Sequence, residues 1–388
     1  MGARLHGWAK AFAAAALLCW SGAVRADEPA PVVLGSIYNL TGSQAGLDIP
    51  SSRGAQLAVD EVNRGGGVLG RPVRLVLEDG ESRPEVIAAK TAAALADNPS
   101  MSALFGLSDT DMVLAAAPVA ASNGRLFLTS GATSPLLPAE VPDYLFLACF
   151  GDNVQAAAAA EWAYDDLGAR TVSVLFDATT SYTRLLHGYF QTRFAELGGE
   201  VVSVESYVPG NIGPAVDRLG KADVVFVAAV PEDVVEVVRL LRAAGFSMPI
   251  LGGDGFDVED AWRDHPDIAR VFFTTHAYLG ADNPDPRVAA FREAYAKAYP
   301  GSLPDAFAAL GYDSARLLIA AVADAKSPDP EKVRAALAGI RRFEGVTGTI
   351  GYPPGGRIPT KSGTILEIDH GRRKLVRTVS PTRVPPPR

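Results

Sequence analysis

Asp223-Val224-Val225-Phe226-Val227-Ala228 is the stretch on which the fold reading turns. Its apolar, mostly β-branched residues lack the polar alternation of a half-solvated strand. Such a run predicts a strand covered on both faces, as in a parallel sheet clothed by helices. The neighbouring sequence agrees. Helical patterns flank it at Ile212–Gly220 and Glu232–Ala244, with strands beyond them at Glu200–Tyr207 and Pro249–Gly252. Further out lie strands at Thr171–Phe176 and Val271–Thr275 and helices at Asp152–Leu167 and Tyr182–Leu197.

An earlier series has the same grammar. Strands are expected at Val32–Tyr38, Val73–Glu78, Ser102–Gly106, Leu126–Thr129 and Tyr144–Ala148. Helices are expected at Ser51–Asn63, Glu85–Asp97 and Thr110–Ser122. In the first of these, Ala55, Ala58, Val59 and Val62 recur at spacings of three and four and make one apolar face. Two consecutive series of this kind imply an α/β protein with two doubly wound, Rossmann-like lobes. After Thr275 helices dominate, at Pro286–Tyr299, Asp305–Ala325 and Asp329–Ala338, followed by short β segments at Val346–Ile350 and Thr364–Asp369. The proline-rich residues 381–388 predict a disordered tail.

The first 26 residues read as a secretory signal. Arg4 and Lys10 precede an apolar run from Ala11 to Trp20, and Val24 and Ala26 stand at the −3 and −1 positions of a cut before Asp27. That run is shorter than the roughly 20 residues a membrane span needs, and no later run is read as one. Leu17-Leu18 before Cys19 argues against a lipoprotein signal. Loss of Arg4, Lys10 and Arg25 moves the formal charge from −8 to −11. An acidic chain of this kind has no electrostatic basis for nucleic-acid or anionic-membrane binding. The mature chain keeps one cysteine, Cys149, which excludes an internal disulfide and reads as buried packing or as a reactive thiol.

Enzyme signatures are thin. His187, His265, His276 and His370 are scattered, and no nucleophile elbow occurs. Neither a metal nor a cofactor is called for. Gly65-Gly66-Gly67-Val68-Leu69-Gly70 matches a dinucleotide motif by letters only: it follows a helix and precedes a strand, the reverse of the required order. Three other segments fall at the carboxyl ends of strands, where open α/β sheets bind ligands. Ser108, Asp109 and Thr110 open a helix, as an N-cap or an anion site. Thr129-Ser130-Gly131-Ala132-Thr133-Ser134 is a hydroxyl-rich loop whose amides suit a closely approaching ligand, or simply a loop. Asp254 lies among glycines, to meet a cation or to brace its own turn.

Leu34-Gly35-Ser36-Ile37-Tyr38-Asn39-Leu40-Thr41-Gly42, Gly54-Ala55-Gln56-Leu57-Ala58-Val59-Asp60-Glu61-Val62-Asn63 and Gly66-Gly67-Val68-Leu69-Gly70-Arg71-Pro72-Val73 carry a resemblance. The chain resembles type I periplasmic binding proteins of ABC transporters, the Leu/Ile/Val-binding group, from about residue 32 to residue 370. That resemblance implies two lobes joined by three crossings, closing on a ligand. Lobe 1 would comprise 27–150 plus 276–350, and lobe 2 would comprise 151–275 plus 351–380. Ala148–Asp152, Thr275–Ala277 and Arg357–Gly363 would be the crossings.

By the same resemblance Thr110, with Ser108 and the amides of Gly131, Ala132 and Thr133, would bind a ligand carboxylate. Asp254 would meet an ammonium, and Tyr182 matches a second-lobe tyrosine with one residue of offset. Leu47 and Val230 stand near positions where the group carries aromatic contacts, and Cys149 lacks the partner of a disulfide known in some members. The implied function is periplasmic capture of an amino acid, of branched-chain, aliphatic or aromatic type, by a monomer that delivers it to an inner-membrane permease. An aromatic or other small carboxylate, an amide such as urea, and a periplasmic sensor subunit are the alternatives. N-terminal sequencing of exported protein is expected to read from Asp27; a lipid on Cys19 would refute that processing.

Overall fold

The computed structural model describes residues 29–388, so the signal segment and its cleavage site lie outside the described residues. The first lobe begins β1 (Val32–Tyr38), α1 (Ala45–Arg64), β2 (Val73–Asp79), α2 (Pro84–Asp97), β3 (Met101–Gly106), α3 (Thr110–Ser122), β4 (Phe127–Thr129), α4 (Leu137–Glu140) and β5 (Leu145–Leu147). The second runs α5 (Asp152–Asp165), β6 (Thr171–Asp177), α6 (Ser181–Glu196), β7 (Glu200–Tyr207), α7 (Gly213–Arg218), β8 (Val224–Ala228), α8 (Val234–Ala243), β9 (Ile250–Gly252), α9 (Glu259–Arg263) and β10 (Val271–Thr275). The chain ends α10 (Pro286–Ala298), α11 (Ala306–Ala325), α12 (Pro330–Gly339), β11 (Phe343–Gly345), β12 (Gly348–Ile350), β13 (Gly363–Asp369) and β14 (Arg372–Val379).

Two sheets follow. The first is parallel, in the order β2-β1-β3-β4-β5. The parallel part of the second runs β7-β6-β8-β9-β10, the same winding begun again. Every residue of β1, β3 and β8 is buried, which is why these strands read as largely apolar runs, broken only by Ser36 in β1 and Ser102 in β3. In each sheet the winding reverses beside its first strand, between β1 and β3 and between β6 and β8. Loops splay apart there at the strands' carboxyl ends.

The late helices return to the first lobe. α11 packs along α1 so closely that a Cβ on Gly54 would lie 1.9 Å from Ala308 O, and one on Gly311 would lie 1.9 Å from Ser51 O. Any side chain at either glycine would push the helices apart. By length and hydropathy α11 would suit a membrane span, contrary to the reading of the sequence, but it is a core helix with most of its residues buried. α1 starts at Ala45, a turn or more before the expected Ser51. Asp48 Oδ2, accepting Asn39 N and Nδ2 at 2.8 and 2.9 Å, anchors that added segment despite Pro50.

The chain then joins the second sheet. β13 pairs antiparallel with β10, and β14 with β13. The sequence did not predict β14, because Arg-Arg-Lys-Leu-Val-Arg-Thr-Val carries the charges that protect a sheet edge rather than the alternation of a buried one. Its hairpin turn, His370-Gly371, has both residues at positive φ, as a tight two-residue connection requires. Three passages link the lobes: 148–151, 276–285 and 351–362.

The expected disordered tail is instead bound to the second lobe. Extended proline-rich chain makes no internal hydrogen bonds, so side chains of α5 and α6 supply its partners. Thr382 N and Oγ1 donate to Glu161, Arg193 Nη2 donates to both Glu161 and Thr382, and Asn153 Nδ2 donates to Pro385 O at 2.8 Å. Arg388 N donates to Tyr189 Oη at 3.0 Å. Burial alone would raise the Glu161 carboxyl; the bonds from Thr382 and Arg193 outweigh it and hold its pKa below the usual value. Glu161→Ala leaves Arg193 buried without this partner and is expected to cost about 3–5 kcal/mol in denaturant unfolding at pH 7. Because the folded pKa is depressed, the carboxylate's contribution is full above the unfolded value of about 4.3 and fades as pH falls through the folded one. The wild-type advantage over Glu161→Gln should shrink accordingly in acid.

Candidate functional site

The chain leaves β3 through Gly106 and Leu107, both at positive φ, and a Cβ on Gly106 would lie 2.0 Å from Ile37 O. This kink delivers Ser108, Asp109 and Thr110 to the start of α3. Asp109 is the N-cap: its Oδ1 accepts from Asp111 N and Met112 N at 2.9 and 3.1 Å. Capping by Asp109 leaves the Thr110 hydroxyl free. Thr110 Oγ1 is buried and makes no hydrogen bond. Ser108 lies beside the Asp48 carboxyl without a well-formed bond to it. Burial pushes Asp48 up to about 7 and Asp109 up to about 6.

The loop after β4 braces this turn. Thr129 Oγ1 donates to Leu107 O at 3.0 Å and accepts Ala132 N at 3.0 Å, while Gly131 N donates to Leu107 O at 3.3 Å. The amides of Gly131 and Ala132, expected to face a ligand, are therefore taken by the protein, and neither residue lines the cleft. Gly131 is needed for space, since a Cβ there would stand 3.0 Å from Ser108. Of the loop, Thr133 reaches the cavity.

Across the cleft, Asp254 follows β9 and is buried. Its Oδ1 accepts Gln155 Nε2 at 2.8 Å and Tyr182 Oη at 2.9 Å, and His276 Nε2 lies 3.0 Å from Oδ2. Gln155 Oε1 in turn accepts Asp254 N and Thr274 Oγ1. The glycines around Asp254 allow this crowding: a Cβ on Gly253 would lie 2.5 Å from Leu186 and 2.7 Å from Tyr182 Oη, and one on Gly255 would lie 2.4 Å from Ala229 O. Burial lowers the His276 pKa, and the ring stacks on Phe150 with centroids 3.9 Å apart. A neutral imidazole donates one proton, and the carboxylate fixes it on Nε2. Asp152, sharing Gln155 with Asp254, is pushed up to about 8 by burial and then by Asp254.

Between these two ends lies a narrow cavity. Ser108, Thr110 and Thr133 stand on the first lobe's side, and Tyr182, Asp254 and Val230 on the second's. Leu47, Val230, Pro231 and Phe307 give apolar wall. Seven sequence-predicted residues thus meet at one cavity: Leu47, Ser108, Thr110, Thr133, Tyr182, Val230 and Asp254. Sequence reasoning missed Gln44, Asp109, Pro231, Gly255 and Phe307 as lining, and Gln155 and His276 as supports. His276 carried one usable signal, its place just beyond the carboxyl end of β10; Phe307 arrives on the returning α11 and carried none.

The arrangement has a free hydroxyl at a helix N-terminus on one side and a buried carboxylate on the other. It can complement a small ligand with an acceptor at one end and a donor at the other.

Comparison with known proteins agrees with this geometry. The family model described as periplasmic binding protein matches residues 31–373. A Leu/Ile/Val-binding protein homolog 3 from Brucella melitensis is 27% identical over 348 residues, covering 88% of this chain and 93% of that relative. Solved structures are similar too, two of them as follows. The branched-chain amino acid transporter substrate-binding protein LivJ of Streptococcus pneumoniae, in complex with isoleucine, gives a TM-score of 0.83 at 26% identity, covering 90% of this chain and all of that one. The leucine-binding protein LivK of Thermotoga maritima gives 0.81 at 29% identity, covering 90% and 99%. Proteins of this family bind solutes and are not enzymes. With two doubly wound lobes, a cavity between them and a family match along most of its length, the chain belongs to the periplasmic binding proteins, in the type I group that includes the Leu/Ile/Val binders.

Proposed function

We propose that the chain is the periplasmic substrate-binding component of an ABC importer, a monomer that encloses an α-amino acid with an aliphatic or aromatic side chain and delivers it to an inner-membrane permease. The observation that carries this reading is the pairing of Thr110 and Asp254 in one cavity. Thr110 Oγ1 is buried without a partner at the start of α3, where the helix dipole favours an anion. Asp254 is buried with three donors around it. An enclosed zwitterion loses water at both ends and needs a charge-assisted partner at each. The printed names of the relatives, Leu/Ile/Val-binding among them, support the same class.

A specific observation favours a second reading. Asp254 is well supplied with donors by the protein itself, so a small carboxylate without an amine, aromatic or otherwise, would leave it satisfied. The two readings separate cleanly in calorimetry. For an amino acid, Asp254→Asn keeps the shape and removes the charge, and is expected to weaken binding by roughly 30-fold to several thousand-fold, the equivalent of about 2–5 kcal/mol. Thr110→Ala should cost about 1–3 kcal/mol. The des-amino analogue should bind wild type far more weakly than its parent; equal binding, or normal binding by Asp254→Asn, moves the assignment to the carboxylate reading.

Enclosure between lobes also predicts a change of shape. Small-angle scattering of the mature protein is expected to give a smaller radius of gyration at saturating ligand than without it. An unchanged radius at saturation would count against hinge closure.

A further inference from the structure

Asp111 stands in the first turn of α3, in the first lobe, and Ser181 is the first residue of α6, in the second. Ser181 Oγ donates to Asp111 Oδ1 at 2.6 Å, and Ser181 N donates to Oδ2 at 3.1 Å. We propose that this pair is a latch across the mouth of the cleft, which holds the closed form and sets the residence time of the ligand without touching it. The proposal rests on the reading that ligand is held by lobe closure.

Three features support it. First, α6 is already capped by its own Thr180, whose Oγ1 accepts Thr183 N, so the Ser181 amide is an orphan helix donor left over for a partner. An aspartate from the opposite lobe fills that place, where the helix dipole adds to the two hydrogen bonds. Second, among the hydrogen bonds of the described residues, this pair is the direct side-chain link between the lobes away from the three passages. Third, its neighbours in sequence, Thr110 and Tyr182, both line the cavity, while Asp111 and Ser181 do not. Contact between the two helix starts therefore brings ligand-facing residues of both lobes into register. Arg184 Nη2 donates to Ser181 Oγ at 3.1 Å and orients the hydroxyl.

Opening the cleft must break both bonds, so the latch slows escape and, to the extent that it forms without ligand, holds part of the free protein closed. Asp111→Ala removes the acceptor. Ser181→Pro removes both donors while leaving a residue well suited to the first helical position, and Thr180 at φ −108, ψ 151 accommodates a following proline. With L-isoleucine as the probe and the full mature chain, stopped-flow dissociation from each variant should be about 5–30-fold faster than from wild type, with association no slower than wild type.

The double variant should be no worse than either single one, since all three have lost the same contact. Ligand-free scattering should give each variant a larger radius of gyration than wild type. Independent, additive effects would show that Asp111 serves only its own helix and would overturn the latch. So would unchanged dissociation together with an unchanged ligand-free radius. If isoleucine does not bind wild type, the amino-acid reading alone falls; the ligand-free radius then decides, a larger one supporting the latch and an equal one overturning it.

Discussion

A carboxylate buried between two lobes must be given donors, and Asp254 sets the terms for everything near it. Gln155 from α5, Tyr182 from α6 and His276 from the second passage converge on its two oxygens. Each comes from a different part of the chain, so the position of one acid fixes the mutual placement of two helices and a linking segment. Nearby groups respond. Burial drives Asp152 towards the neutral form with Asp254 as a further cause, and burial drives His276 towards its neutral form. Little room remains: the glycines on both sides of Asp254 are occupied up to the Cβ position. A ligand group entering here meets a preorganised acceptor rather than one that must first be assembled.

The other wall of the cavity depends on a different constraint. Phe307 reaches the site because α11, after the excursion through the second lobe, lies back on α1 at the contact made by Gly54 and Gly311. That helix contact closes the first lobe's core and is also what brings an aromatic ring to the cavity wall. Stability and site geometry share one interface, and a side chain at either glycine would disturb both.

Much of this was legible in the sequence for one reason: buried parallel strands write themselves as short apolar runs, and Val224-Val225-Phe226-Val227 is such a run. The carboxyl ends of those runs located the three segments that hold Thr110, Thr133 and Asp254, because the doubly wound topology gathers strand ends on one side, and the family resemblance singled out those residues within them. What stayed hidden involves partners distant in sequence. That the Gly131 and Ala132 amides are consumed by Leu107 and Thr129 depends on how two loops pack, which periodicity does not encode. The tail misled for a related reason. Proline-rich composition reports that a segment cannot bond to itself, not whether Glu161, Asn153 and Tyr189 stand ready to hold it. The edge strand β14 escaped because its charges serve the exposed edge rather than the core.

The electrostatics of the cleft explain why closure would need help from elsewhere. Acids face one another across it: Glu232 of the second lobe is raised by burial and further by its neighbours Asp233 and Asp109, and Asp305 is pushed up to about 8 by burial and then by Asp257. Bringing the lobes together crowds these acids and strips water from them, which favours their neutral forms, so closure would have to take up protons or expel charge. Against this stand the Asp111–Ser181 contact, in which the acid meets a helix N-terminus rather than another acid, and whatever positive group a ligand brings to Asp254. A ligand with an ammonium would relieve part of the repulsion as it binds, and an anion without one would add to it.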